Sequence, residues 1–255
     1  VRIRTKQKEE LKKAFKASKE RLLLLDYDGT LTGFHVNHQK AIPSPEVLSI
    51  LQRLSQDPAT HIAVISGRPP DFLEKHFGHL PIDLIAEHGH LTRLKASTEW
   101  KEKNMSSDEW IAHVLPVMQQ FADNTPGTFV EVKKNALVWH YRKTDPELGI
   151  IKSEELKTTL RSMVSNEVHL MNGDKIIEVV SSSVNKGTAS VERYNSSSYD
   201  FVLAAGDDVT DEDMFTYLPS SAVSIKVGAK ATAAQYRVSD FNAMIDFLGE
   251  LAGAL

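Results

Sequence analysis

Four leucines in succession, residues 22–25, run straight into Asp26-Tyr-Asp-Gly29. A short unbroken apolar run stopped by polar residues and a glycine turn suits a strand buried on both faces, as in a parallel sheet. The same punctuation returns three times. His61-Ile-Ala-Val-Ile65 ends at Ser66-Gly67, Leu84-Ile-Ala86 at Glu87-His-Gly89, and Phe201-Val-Leu-Ala-Ala205 at Gly206-Asp207. Between the first two runs, residues 45–54 place apolar side chains at 47, 48, 50, 51 and 54, with Pro45 in the first turn of the helix this spacing predicts. Residues 5–20 predict a surface helix with one thin apolar stripe, Leu11, Ala14 and Phe15. Strand and helix in repetition, with polar residues gathered after each strand, predict an α/β fold. Its Rossmann-like parallel sheet would bind ligands at the carboxyl ends of the strands.

The middle of the chain has a different period. Residues 107–121 predict an amphipathic helix, and residues 128–141 alternate apolar and polar on both sides of a tight Lys134-Asn135 turn, an antiparallel hairpin. A second helix over 147–164 leads to Glu167-Val-His-Leu-Met171 and Lys175-Ile-Ile-Glu-Val179, joined across Asn172-Gly173, a strong two-residue hairpin signal. This αββαββ insert predicts an open α+β layer, an antiparallel sheet covered by two helices. The chain is thereby divided into a core over 1–102, an inserted cap domain over 103–180 and the rest of the core over 181–255.

Composition changes this picture little. Hydrophobic residues at 41% and charged residues at 25% are globular values and exclude a mostly disordered chain. The net charge of −4 is too mild for nucleic acid or an anionic membrane as main partner. It is unevenly spread, however. Residues 1–21 hold nine basic and three acidic side chains, leaving 21 basic and 31 acidic for the rest. There is no cysteine, so any metal must be held by oxygen or imidazole, and the chain reads as cytoplasmic. No apolar run approaches a signal core or a membrane span. The first residue is Val1, which fits either a processed start or a domain excised from a longer polypeptide.

Two carboxylates at i and i+2, Asp26 and Asp28, sit where a buried strand stops. One can be a nucleophile beside a cation and the other an acid/base, although Asp-x-Asp alone also fits a solvated turn. Gly206-Asp207-Asp208-Val-Thr-Asp211-Glu212-Asp213 is a second acidic cluster at a strand end. Five acids in seven positions predict a divalent cation fed by Asp207, with helix capping as the plainer alternative; oxygen-only ligands favour Mg²⁺. Ser66-Gly67-Arg68 offers a hydroxyl and backbone N–H groups at an expected helix start, a small phosphate seat, although an isolated Ser-Gly more often just caps a helix. Asn185-Lys186-Gly187 by itself says little. Of the ten histidines, His88 in Glu87-His88-Gly89 is the one expected to line a cleft.

Taken in order, Asp26-x-Asp28-Gly-Thr-Leu, Ser66, Lys186 and Gly206-Asp207-Asp208 resemble the haloacid dehalogenase (HAD) superfamily. A narrower layer of motifs is similar to the trehalose-6-phosphate phosphatases. These are Val64-Ile-Ser-Gly-Arg68, Ala86-Glu-His-Gly89, Val130-Glu-Val-Lys133 with Trp139-His-Tyr-Arg142, and Gly206-Asp-Asp-Val-Thr-Asp-Glu212. The resemblance implies a HAD core and a Mg²⁺-dependent phosphomonoesterase acting on trehalose 6-phosphate. Asp26 would be the nucleophile that becomes an aspartyl-phosphate, and Asp28 the acid/base. Mg²⁺ would lie on Asp26, the backbone carbonyl of Asp28 and Asp207, with Asp208 and Asp211 behind them. Ser66, Gly67 and Lys186 would hold the phosphoryl group, and Lys186 would also be catalytic. Arg68, Glu87, His88, Glu131, Lys133, Arg142 and Glu178 would read the sugar. Glu131 and Lys133 share one strand face, a pattern that equally fits a solvated sheet face. The chain departs from the resemblance at Glu178-Val-Val180-Ser181, where many relatives carry Arg-Pro. Fusion to or association with a trehalose-6-phosphate synthase domain is a further implication. Another sugar-phosphate phosphatase of the superfamily, such as one acting on sucrose 6-phosphate, and a silent sugar-phosphate sensor are the alternatives.

Overall fold

The computed structural model describes residues 1–33, 40–103, 109–133, 136–163, 168–173, 175–181 and 184–255. The chain divides into two compact units, Val1–Lys103 with Asn185–Leu255, and Asn104–Val184.

The first unit is built on an eight-stranded sheet. In chain order its elements are α1 (Thr5–Ala17), β1 (Arg21–Asp26), α2 (Pro45–Gln56), β2 (Thr60–Ile65), α3 (Pro70–Phe77), β3 (Asp83–Ala86), β4 (Leu91–Arg93) and β5 (Lys101–Glu102). After the insert come α6 (Lys186–Tyr194), β10 (Phe201–Gly206), α7 (Glu212–Tyr217), β11 (Val223–Val227), β12 (Tyr236–Val238) and α8 (Phe241–Ala252). The strand order is β12-β11-β10-β1-β2-β3-β4-β5. The six strands from β12 to β3 are parallel, and β4 and β5 add antiparallel at one edge.

The leucine run explains why β1 is central. Leu23 and Leu25 pack into one apolar cluster with α2, α3 and α8, while Leu22 and Leu24 pack into another with Ala189, Met214 and Leu218. A strand covered on both faces needs apolar residues at every position, which is why the run does not alternate. Level registers matter for the site. Asp26 pairs with Ile65 on one side, and Leu25 pairs with Ala205 on the other. Asp26, Ser66 and Asp207 therefore stand at the carboxyl ends of three neighbouring strands.

The second unit contains α4 (Glu109–Asp123), β6 (Phe129–Val132), β7 (Ala136–His140), α5 (Pro146–Met163), β8 (Val168–Gly173) and β9 (Ile176–Ser181). Its sheet is antiparallel, in the order β6-β7-β9-β8. Leu137, Trp139, Ile177 and Val179 meet Trp110, Val114, Met118, Leu156 and Leu160 of the two helices. The Lys134-Asn135 turn lies outside the described residues. The other hairpin differs from expectation: pairing continues through Asn172 to Gly173↔Ile176, so the connection follows Gly173, with Lys175 at φ 62°. The longer ladder puts Leu170 opposite Val179, whereas a turn at Asn172-Gly173 would have put it opposite Lys175. Among the described residues no helix is long and apolar enough to cross a membrane.

Candidate active site

Asp26 closes β1 and is buried. The next side chain, Tyr27, points the other way. Its hydroxyl donates to the Ala41 carbonyl at 2.7 Å and its ring meets Phe72 and Phe77. This alternation leaves Asp26 and Asp28 on the same side. The backbone then turns tightly, with the Thr30, Leu31 and Thr32 amides all donating to the Tyr27 carbonyl. Gly29, at φ 86°, is required there: a Cβ would lie 2.3–2.5 Å from the carboxylate of Asp207.

Lys186 enters from the first turn of α6, whose start is capped by Asn185 accepting from the Thr188 amide at 2.8 Å. Its buried ammonium donates to Asp26 Oδ1 at 2.5 Å and to Asp211 Oδ1 at 2.6 Å. Asp211 Oδ2 accepts from the amides of Asp207 and Asp208 at 2.8 and 2.9 Å. Asp211 is thus a pin between the lysine and the acidic loop, with both oxygens engaged. Burial works against the charge on Lys186, yet Asp211 and Asp26 together hold its pKa above the ordinary lysine value. Burial pushes the Asp26 carboxyl up, to about 8, against the pull of Lys186. Burial, with the charges of Asp211 and Asp208, raises Asp207 to about 6.

Burial makes these carboxylates costly to ionise, and the geometry shows where a cation would offset that cost. Asp26 Oδ2 is buried without a partner, and Asp26, Asp207 and Asp211 each offer an oxygen within 4.8 Å of the others. An all-oxygen set with one carboxylate oxygen idle suits a hard divalent cation such as Mg²⁺. The residues present fit that ion, with Asp26 and Asp207 as the carboxylates free to bind it.

Ser66 follows β2, and its Oγ accepts from the Arg68 amide at 3.1 Å. The expected helix start is displaced. α3 begins at Pro70, capped by Pro69. With two prolines at that start, which supply no N–H groups, residues 66–68 form a loop ahead of α3. That loop is locked to residues 87–88, the Glu87 amide donating to the Arg68 carbonyl and the His88 amide to that of Ser66. Gly67 makes room for the His88 ring, whose Nε2 would lie 2.5 Å from a Cβ there. Glu87 and His88 both take positive φ, 48° and 58°, a strained pair for non-glycine residues.

Arg68 is placed on Asp28, the expected acid/base. Its Nε and Nη2 fork onto Asp28 Oδ2 and Oδ1 at 2.8 and 2.5 Å, while its guanidinium lies 4.5 Å over Phe72. Arg68→Lys cannot restore a planar fork. It is expected to lower kcat about ten- to hundredfold, inside the range general acid–base catalysis supplies, with KM nearly unchanged. Steady-state kinetics checks this; a raised KM at constant kcat would favour the expected sugar contact instead.

Burial, then the Lys186 charge, depresses the His88 pKa to about 4. The folded state therefore binds this proton less readily than the unfolded chain. Stability linked to His88 is complete above the ordinary histidine value and is lost as pH falls toward 4, about 3 kcal/mol in all. Asp26 and Asp207, with raised pKa values, act in the opposite sense. The expected result is that His88→Asn loses less stability than the parent between pH 6.5 and 4 in denaturant titrations. Equal losses would contradict a buried neutral imidazole.

The remaining expected residues lie on the second unit. Glu131 and Glu178 flank Val138 in one cross-strand row, on the face opposite α4 and α5. Lys133 pairs with Glu178 at 3.4 Å, and Arg142 is exposed just after β7. Two residues there were not anticipated. His140 Nε2 lies 2.8 Å from Glu131 Oε2, and the half-exposed Phe129 ring stacks on His140 with centroids 4.5 Å apart. Alternation along β7 puts His140 in phase with Val138, a signal that was readable.

The sequence profile of the trehalose-phosphatase family matches residues 24–242. The bifunctional trehalose-6-phosphate synthase/phosphatase of Thermoproteus tenax is 39% identical over 244 residues, 95% of this chain and 33% of that protein. The trehalose-phosphatase of Saccharomyces cerevisiae is 36% identical across 94% of this chain and 32% of its own length. The chain thus spans about a third of these curated relatives. A structure of Aspergillus fumigatus trehalose-6-phosphate phosphatase superposes with a TM-score of 0.81 at 38% identity, covering 97% of this chain and 98% of that one.

Proposed function

Since the chain belongs to the trehalose-phosphatase family, we propose that it hydrolyses trehalose 6-phosphate to trehalose and inorganic phosphate, with Asp26 as nucleophile and Mg²⁺ as cofactor. One observation carries the reading: a buried carboxylate, Asp26, has one oxygen on Lys186 and the other without a partner, facing Asp207 across a turn that admits only glycine.

In the first half-reaction Asp26 attacks phosphorus. A bond forms from its carboxylate oxygen, the bond from phosphorus to the sugar oxygen breaks, and Asp28 gives its proton to that oxygen. In the second, Asp28 takes a proton from the water that attacks phosphorus, and the Asp26 carboxylate is released. Both Asp28 oxygens accept from Arg68 in the resting site, so the fork opens before the proton can be delivered. Lys186 and Ser66 hold phosphoryl oxygens, and the neutral His88 adds no competing charge beside Lys186. Asp26, Asp207 and the Asp28 carbonyl would hold a divalent ion, which would supply the positive charge that lets a dianionic phosphate approach two carboxylates.

The second unit serves as the cap, with Glu131, Lys133 and Glu178 binding sugar hydroxyls; Glu87 and Arg142 are further contacts. A cytoplasmic setting beside a synthase activity goes with this reading, given the cysteine-free chain and the bifunctional relative. A panel of sugar phosphates tests it. Trehalose 6-phosphate is expected to exceed glucose 6-phosphate and sucrose 6-phosphate in kcat/KM by about a hundredfold or more, since a site built for hydroxyls rejects ligands that leave them unpaired. Comparable values would overturn the specificity.

A further inference from the structure

The acidic loop that contributes Asp207 holds Asp207, Asp208, Asp211, Glu212 and Asp213, and three of these acids are each met by a different lysine. Asp211 has Lys186 at 2.6 Å, Glu212 has Lys226 at 2.8 Å, and Asp208 has Lys230 at 2.9 Å. Lys230 is an exposed rim cation, and Lys186 is shared by Asp26 and Asp211. Lys226 is neither. It is 1% exposed, lies on β11 directly opposite Gly206, and sends its ammonium forward to the Asp208 carbonyl at 3.0 Å and to Glu212 Oε1. The second oxygen of Glu212 accepts from Thr232 Oγ1 at 3.0 Å and from the Ala233 amide at 2.8 Å. One buried lysine thereby ties the backbone just after Asp207 to the sheet and, through Glu212, to the loop after β11.

We propose that Lys226 is a positioning residue for the cation site: by bracing residues 208–212 it holds the Asp207 carboxylate in place against Gly29 and beside Asp26. The inference rests on the reading of Asp26 and Asp207 as cation ligands. Two physical effects of Lys226 oppose each other, which makes it testable. As a nearby positive charge it repels a divalent ion, so removing it should tighten cation binding. As a brace it presents Asp207 correctly, so removing it should weaken binding, as loss of outer supports of metal ligands does.

The measurement is Mn²⁺ affinity by electron paramagnetic resonance on the whole chain, with circular dichroism reporting the fold. Lys226→Met is expected to bind Mn²⁺ about ten- to hundredfold more weakly than the parent. Lys226→Gln, which keeps one donor group and is the milder change should the first variant fold poorly, is expected between the two. Unchanged or tighter binding in folded Lys226→Gln, with normal binding by the parent, overturns the brace alone. A parent that binds no Mn²⁺ overturns the cation reading, and the brace falls with it.

Discussion

Asp26→Asn is expected to abolish phosphate release, lowering kcat by about 10⁴-fold or more, the scale seen when an enzyme loses its nucleophile. Asparagine keeps the shape of the side chain at the end of β1 and an oxygen for Lys186, so the fold and the phosphate seat survive. It cannot form an acyl-phosphate. Affinity for trehalose 6-phosphate, measured by calorimetry, is therefore expected to stay within about tenfold of the parent, because uniform binding is separate from the bond-making step. Stability should not fall. Burial already holds the Asp26 carboxyl up, to about 8, so the neutral amide relieves the penalty of an ionised group in that position. A site residue that costs stability in exchange for chemistry is a common trade. A kcat within tenfold of the parent would remove Asp26 from the reaction.

Lys186→Met has the second large effect, and here stability and chemistry fall together. The ammonium is the shared partner of two carboxylates that are almost wholly enclosed, Asp26 at 3% and Asp211 at 0% exposure. Removing one member of a buried ion pair leaves an uncompensated charge and costs about 3–5 kcal/mol. Two carboxylates facing one another across the methionine should bring the loss to the upper part of that range. Denaturant unfolding checks it, and Mg²⁺ should return part of the loss by supplying positive charge to Asp26. Phosphate release should fall about 10²–10³-fold further than the stability change explains, the usual effect of deleting one group that stabilises transition-state charge. Unfolding free energies equal to the parent's would mean the ion triad is not formed.

Much of this site was legible because strand ends and chemistry coincide in the chain. The run 22–25 suits a doubly buried strand, and in the structure it is β1, with Asp26 at its end. The level registers Asp26↔Ile65 and Leu25↔Ala205 were not readable, since pairing between distant strands leaves no local trace. Nor was the partner of Asp28. Arg68 is expected among the sugar contacts, and only with α3 beginning at Pro70 do residues 66–68 bend back to put it on Asp28. Lys226 was invisible for a related reason: one lysine inside the β11 run Val-Ser-Ile-Lys-Val looks like a solvent-facing position, and only burial shows otherwise. The antiparallel edge strands β4 and β5, three and two residues long, carry too few positions to display a period. In the second unit the reverse holds. Glu131, Lys133 and Glu178 share a face by simple alternation, so their grouping was predictable and their neighbours Phe129 and His140 could have been found the same way.

The central claim is that phosphate passes through Asp26. Rapid acid quench during turnover of trehalose 6-phosphate carrying ³²P, followed by peptide mapping, tests it directly. The expected result is transient label on the peptide containing Asp26-Tyr-Asp28, absent in Asp26→Asn. Turnover with no protein-bound label, or label on a peptide lacking Asp26, would contradict it.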